Sequence, residues 1–159
     1  MNRFFFKLLM GLFAMAGTAV LLLSQGHAQR KERVVIEITD PKSGAKVDKE
    51  APVQGTARLP PGYHLWVLAR RTDHRPLWVP QQEAEVDPAT QKWSATAVFG
   101  AQQDVGSDYD VGVVVVDDKG HAALAGYHDK ATKTGDWKPI EIPPGSSSLQ
   151  TLTVKKVRH

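Results

Sequence analysis

Short segments rich in β-branched and aromatic residues recur along the chain, and turns rich in Pro, Gly and Asp separate them. Seven of these segments have the length and composition of strands, and they cover residues 33–39, 51–59, 63–71, 77–81, 92–99, 109–117 and 149–157. Several short strands at this spacing are typical of a β-sandwich or a β-barrel. We therefore predict an all-β fold of about seven strands.

Two of the segments indicate their place in a sheet. Segment 63–71 is apolar on both faces, with Leu65, Val67 and Ala69 on one face and Trp66 and Leu68 on the other. Such a strand is expected in the interior of a sheet, because both of its faces must be covered. Pro80 lies within segment 77–81 and has no backbone N–H to donate, so we expect this strand at a sheet edge.

One segment has no β pattern. In residues 121–135, Leu124, Tyr127, His128 and Ala131 recur at helical spacing, and Gly135 is placed to end a helix. We predict a short helix inserted between the last two strands.

The first 28 residues have the organisation of a signal peptide. Arg3 and Lys7 precede an apolar run at 8–23, and the small residues Gly26 and Ala28 follow it. The run of sixteen residues is shorter than the ~20 that usually span a bilayer. We predict a cleaved signal peptide at 1–28 and a mature domain at 29–159; the alternative is an uncleaved anchor.

Charge and cysteine content restrict the compartment and the partners. The formal net charge of +3 includes Arg3 and Lys7, so the mature part carries only about +1, which does not favour nucleic-acid binding. The chain has no Cys, so an apolar core must hold the fold without disulfides. We expect a periplasmic or secreted bacterial protein with no stable membrane span after signal removal.

Residues 38–57, ITDPKSGAKVDKEAPVQGTA, resemble the opening of bacterial immunoglobulin-like (Big-type) domains of exported proteins. The matching residues are Pro41, Gly44, Val47, Val53 and Gly55. The resemblance extends over most of 34–157 and implies an immunoglobulin-like β-sandwich of about seven strands, with the helical insert as an addition.

Three later residues fit the same resemblance. Trp66 lies in the third strand, where immunoglobulin folds bury a Trp between the sheets, and Tyr109 opens the sixth strand at the tyrosine-corner position. Val111 stands where an antibody domain has Cys, so aliphatic packing replaces the disulfide. Domains of this family serve as binding or spacer modules, which implies an adhesive or scaffolding role.

Metal ligation has little support in the sequence. The histidines beside predicted elements are His64, His74, His121 and His128, and none stands in a known ligand spacing. The Asp117–Gly120 turn has the composition of any polar β-turn, whereas a Ca²⁺ ion needs six to eight oxygen ligands. We therefore predict no metal and no cofactor.

Catalysis has no visible constellation either. The chain has no Cys nucleophile and no G-x-S-x-G elbow. Acidic pairs can be chosen from Glu83, Glu85 and Asp87, or from Asp117 and Asp118, but acidic turns in general look the same. We predict no catalytic residue and no enzyme activity.

Aromatic and basic residues outside the expected core are the candidate binding residues. Trp, Tyr and Arg dominate binding hot spots, and the candidates are Arg70, Arg71, Arg75, Trp78, Gln81, Tyr127 and Trp137. The alternative for two of them is a secondary core, with Trp78 and Tyr127 packed between the helix and strand 77–81.

The functional hypothesis is a non-catalytic, exported binding or scaffolding module that recognises an envelope protein or a cell-surface glycan. Two alternatives remain. One is a glycan-acting hydrolase of unrecognised type, and the other is a structural assembly factor that pairs an exposed strand edge with a neighbour.

Overall fold

A computed structural model describes residues 33–158 of the chain. The predicted signal peptide at 1–28 lies outside the described residues. Within 33–158 the chain forms eight strands and one α-helix: β1 Val35–Asp40, β2 Lys46–Val47, β3 Glu50–Arg58, β4 Tyr63–Arg71, β5 Val79–Glu83, β6 Lys92–Val98, β7 Asp108–Asp117, α1 Asp118–Thr134 and β8 Ser147–Lys156. No helix in this part of the chain is both long and apolar enough to cross a bilayer.

The strands form two sheets. One has the order β1-β3-β6, and the other has the order β2-β8-β7-β4-β5. All neighbours are antiparallel except the short pair of β2 and β8. The mostly-β composition and the helix before the last strand are confirmed. So are the interior place of β4, between β7 and β5, and the edge place of β5, which contains Pro80.

The main core takes side chains from both sheets. β4 contributes Leu65, Val67 and Ala69, one of the two faces expected from its alternation. From the three-stranded sheet, Trp93 lies over Gly55, where a Cβ would come 2.6 Å from the indole ring. The absence of a side chain at Gly55 therefore makes room for the largest residue of this core.

A second core lies between α1 and the other face of the five-stranded sheet. Trp66 and Leu68 of β4, Trp78, and Leu124 of α1 are its principal buried members. The helix has 17 residues and begins at Asp118, three residues before the expected start, because the Asp117 carboxylate accepts a hydrogen bond from the Gly120 N–H at 2.8 Å.

The expected position of Trp66 between the sheets is wrong. Trp66 belongs to the helix-side core, because side chains alternate along β4 and its neighbours Leu65 and Val67 face the main core. Trp93 supplies the large indole of the main core instead. Val111, which the resemblance matched to an antibody Cys, is fully buried in that core, as aliphatic packing requires.

Candidate functional site

A groove along β5 collects four of the seven candidate binding residues. Arg70 and Arg71 at the end of β4, Gln81 on β5, and Trp137 after α1 line a cleft of about 660 Å³, which we call the β5 groove. The segments 70–81 and 127–137 are far apart in sequence, and the fold brings them to this groove. Its volume is within the range of ligand-binding clefts.

Arg70 is tied to an internal carboxylate. Antiparallel pairing places Arg70 opposite Asp110, and Asp110 opposite Thr153, in one row across β4, β7 and β8. Asp110 is 3% exposed and accepts hydrogen bonds from Arg70 Nε at 2.9 Å, from two nitrogens of Arg75 at 2.8 Å each, and from the Thr153 hydroxyl at 2.9 Å. Burial raises the pKa of Asp110, but these donors outweigh it and lower the pKa to about 2.

Arg75 therefore has a structural partner and does not line the groove. Its guanidinium faces Asp110, although its side chain is 56% exposed. Loss of this residue would disturb a buried carboxylate, so a change at Arg75 reports on stability as well as on binding.

Arg71 follows Arg70 at the end of β4 and also lines the groove. It donates to Asp73 at 2.6 and 2.7 Å and to Asp104 at 2.8 Å. The hydrogen bonds from Arg71 lower the pKa of Asp73 to about 2, and Asp73 in turn raises the pKa of Arg71. The guanidinium is thus held in one position at the groove wall.

Trp78 is in the secondary core and is not part of the groove surface. Its side chain is 2% exposed, and its ring lies over Gly112, where a Cβ would come 2.8 Å from the indole. The Arg70 guanidinium covers the ring at 3.8 Å from its centroid. Of the two sequence alternatives for Trp78, packing is the one that the structure contains.

Tyr127 has an intermediate position. It is half-buried and lies outside the groove, where its hydroxyl donates to the Lys138 carbonyl at 2.9 Å. Its ring meets Trp137 edge-on, with 6.4 Å between the ring centroids. Tyr127 therefore supports the segment that carries Trp137.

Trp137 is the exposed aromatic residue of the groove, at 41%, and Val98 is an equally exposed aliphatic residue of the same lining. His128 contacts the indole edge-on at 5.5 Å between centroids. Gln82 and His74 also line the groove, and within residues 33–158 neither side chain makes a hydrogen bond, although His74 Nε2 lies 4.0 Å from Asp73 Oδ1. The groove thus combines an exposed indole with polar groups that remain able to bind a ligand.

A second group of polar side chains meets at the opposite end of β4. His64 of β4, Glu83 of β5, and His121 and Asp118 of α1 form what we call the His64 cluster. His64 Nδ1 lies 2.7 Å from Glu83 Oε1, and its Nε2 lies 3.1 Å from Asp118 Oδ1. The two imidazole rings are stacked, with 3.9 Å between their centroids.

The sequence did not predict this cluster, because its members do not stand at a known ligand spacing along the chain. His64 and Glu83 are joined by the pairing of β4 with β5, and His121 arrives one turn into α1. Burial lowers the pKa of His64, but the hydrogen bonds to Glu83 and Asp118 outweigh it and raise the pKa above the usual value. The sequence did contain one indication of the position of His64. Because side chains alternate along a strand, His64 lies on the same face of β4 as Trp66.

A second cleft, of about 630 Å³, opens beside His64 and Glu83 and also contains Glu85 and Asp87. We call it the β3–β4 cleft. Asp87 is occupied in its own turn, where it accepts hydrogen bonds from the backbone N–H groups of Ala89 and Thr90, and these lower its pKa. Asp87 is therefore ionised and is poorly suited to act as a general acid.

Comparisons with known proteins leave the family open. No family model matches the chain, and no curated protein matches it. Among solved structures, one to which the chain is similar is the structure of murine CRIg, at 11% identity and a TM-score of 0.33 over 80% of this chain and 98% of that one. Structural similarity at this TM-score supports no argument about the fold or the function.

Proposed function

We propose that this protein is a non-catalytic, exported binding module, with an immunoglobulin-like β-sandwich fold, that holds a segment of a neutral cell-surface glycan in the β5 groove. The signal-peptide pattern at 1–28 supports export to the periplasm or the exterior. The observation that carries the proposal is the meeting of an exposed indole, Trp137, with polar side chains that make no hydrogen bond within residues 33–158, in one groove of ligand size.

The balance of charge in the groove favours a neutral ligand. Arg70 and Arg71 are matched by Glu50 and Asp104, which also line the groove. Both arginines already bind carboxylates of the protein itself, so neither is free to attract an anionic partner. A polyhydroxylated chain without charge avoids the cost of separating these ion pairs.

The groups that remain available match the chemistry of a sugar. The indole of Trp137 offers an apolar face for the C–H groups of a pyranose ring and a polar N–H at its edge. Gln82 can donate to a hydroxyl and accept from one, and His74 and His128 can do the same in their neutral forms. An envelope protein that used the groove would need a projecting apolar side chain.

Part of the groove wall is fixed before any ligand arrives. Gln81 donates to the Val79 carbonyl at 3.1 Å and accepts from the Val98 N–H at 2.9 Å. Together with the ion-paired Arg71, this side chain loses little conformational entropy on binding. Preorganisation of this kind is expected of a dedicated binding surface.

The test compares Trp137→Ala and Gln82→Ala with wild type for binding to purified neutral polysaccharides and to isolated cell-wall glycan. Removing a central aromatic contact is expected to weaken binding by about thirtyfold or more. Val35→Ala is the matched control, because Val35 is 53% exposed but lies on β1 in the other sheet. Circular dichroism and the melting temperature confirm that each variant is folded.

The outcomes distinguish a glycan ligand from an envelope-protein partner. Binding to glycan that Trp137→Ala abolishes and Val35→Ala retains supports the proposal. Capture of an envelope protein by cross-linking through a photoreactive residue at 137, without glycan binding, would replace the glycan by a protein partner. Equal glycan binding by all variants would show that the β5 groove is not the site.

Export is tested separately. N-terminal sequencing of the protein recovered from the periplasm or the medium is expected to begin at Gln29. A chain that retains residues 1–28 in the membrane fraction would support the uncleaved anchor instead.

A further inference from the structure

We propose that His64, Glu83 and His121 form a Zn²⁺ site that joins β4, β5 and α1. This site is distinct from the β5 groove, since none of its three ligands lines that groove. The proposal does not depend on the proposed function.

The ligand atoms of the cluster are close enough for one small cation, but the two imidazole planes are nearly parallel, at 18°, so His121 must turn out of the stack to reach an ion held by His64. The ligand atoms of His64, Glu83 and His121 all lie within 4.8 Å of one another. Tetrahedral Zn²⁺ with bonds of about 2.0–2.1 Å keeps its ligand atoms roughly 3.4 Å apart. The observed separations of Glu83 Oε1 from His64 Nδ1, 2.7 Å, and from His121 Nδ1, 3.7 Å, lie on either side of that value.

The ligand set indicates the metal. Two imidazoles and one carboxylate form a His₂Glu set, which is typical of zinc sites that keep a fourth position open. Ca²⁺ and Mg²⁺ prefer oxygen ligands and a higher coordination number. The ligands come from three separate elements, so the ion would tie α1 to the paired strands β4 and β5.

A surrounding carboxylate supports the same assignment. His64 presents Nδ1 to Glu83 and Nε2 to Asp118 Oδ1 at 3.1 Å. A metal-bound histidine commonly donates its other ring N–H to a carboxylate, which fixes the tautomer and the ring orientation. Asp118 is on the far side of the imidazole from the ion, so it is an orienting residue and not a ligand.

Trp66 holds the second histidine. Its indole N–H donates to His121 Nδ1 at 3.2 Å, and the ring is buried at 3% exposure. The Nδ1 lone pair therefore points at an N–H in the metal-free protein. Zn²⁺ would take this lone pair and the indole N–H would lose its acceptor, so metal binding is expected to change the fluorescence of Trp66.

The fourth position faces solvent. The side chains of His64 and Glu83 are 27% and 38% exposed, and both line the β3–β4 cleft. A water molecule or a group of a bound ligand can complete the tetrahedron from this cleft. The ion would be exchangeable, and a chelator should remove it.

The experiment is calorimetric titration of ZnCl₂ into the untagged, chelator-treated protein. We expect one ion per chain, with a dissociation constant in the micromolar range or below. Glu83→Gln and His121→Ala should each weaken binding by about a hundredfold or more, and Asp118→Ala by about tenfold to a hundredfold. The change in tryptophan emission should follow the same saturation curve.

Two matched controls separate the site from general surface binding. Glu85→Gln changes an exposed carboxylate that lines the same cleft, and His74→Ala changes an exposed histidine on the β4–β5 loop. Both should bind Zn²⁺ like wild type. No binding at about 100 µM Zn²⁺, or equal binding by Glu83→Gln and Glu85→Gln, would overturn the proposal and leave the cluster as an ion pair of His64 with two carboxylates.

Discussion

Replacement of Asp110 by Asn removes one charge from the centre of the polar row across β4, β7 and β8 while keeping the size of the side chain. The wild-type carboxylate accepts four hydrogen bonds, from Arg70, Arg75 and Thr153. Asn can still accept at its single carbonyl oxygen, but its amide group presents N–H bonds to a guanidinium that also carries only N–H bonds. The variant therefore leaves at least one arginine donor without an acceptor.

The expected loss in the free energy of unfolding follows both from the pKa shift of Asp110 and from the usual cost of breaking a buried ion pair. The pKa of Asp110 falls from 3.8 to about 2 on folding, which corresponds to about 2 kcal/mol of stabilisation by the ionised form. Breaking a buried ion pair typically costs about 3–5 kcal/mol. Arg75 is 56% exposed and can turn to water, whereas Arg70 is 13% exposed. We expect Asp110→Asn to lower the free energy of unfolding by about 2–4 kcal/mol.

Urea denaturation at several pH values tests both the size and the cause. Because the folded pKa lies below the unfolded value, the stabilisation is present above pH 3.8 and is lost as the pH falls through about 2. The difference between wild type and Asp110→Asn should therefore shrink on acidification, since the other acids titrate alike in both proteins. The control Asp108→Asn, with an exposed carboxylate on the same strand, should cost less than about 0.5 kcal/mol.

Either of two results would contradict this reasoning. A loss no larger than that of Asp108→Asn would mean that the arginines find water at no cost. A loss of the expected size that does not change between neutral pH and pH 2 would mean that shape, and not charge, holds the row together.

Substitutions at three further positions test the helix-side core and the start of its helix. Gly112→Ala places a methyl group 2.8 Å from the Trp78 ring, so it should displace the indole at a cost of about 1–3 kcal/mol and raise the solvent quenching of tryptophan fluorescence. Asp117→Ala removes the cap of α1 and should cost about 1 kcal/mol in thermal denaturation, whereas Asp117→Asn, an equally good cap, should cost less. Leu124→Ala should cost about 2–5 kcal/mol, and faster hydrogen exchange in α1 than in β7 would locate the damage; equal exchange in both would argue against local release of the helix.

The sheet positions that could be predicted depend on side-chain alternation and on proline. The double apolar face of β4 required a cover on each side, and the structure has the main core on one and α1 on the other. Pro80 restricted β5 to an edge because it lacks an N–H. Both rules act within a few residues, so a single sequence contains the information.

The candidate sites depended on contacts between distant segments, and the sequence was less informative there. Arg75 lies on a turn and Trp78 lies in the edge segment, and residues at such positions are commonly exposed. In the structure, however, Arg75 binds Asp110 of β7, and Trp78 packs over Gly112 of the same strand. The resemblance placed Trp66 between the sheets, although its alternation with Leu65 already put it on the opposite face from the main core. A two-residue period was stronger evidence here than a family position.

One face of β4 connects the His64 cluster with the polar row around Asp110. Side chains 64, 66, 68 and 70 of β4 all lie on the helix side, with His64 at one end, Arg70 at the other, and Trp66 and Leu68 buried between them. Six residues of strand separate the ends by about 20 Å, beyond the roughly 10 Å over which substitutions commonly couple. Loss of the Asp110 row should therefore leave the affinity of the His64 cluster for Zn²⁺ unchanged, provided that the protein stays folded. A change in that affinity would mean that the buried tryptophans transmit strain along the strand, and that the two ends cannot be treated as separate sites.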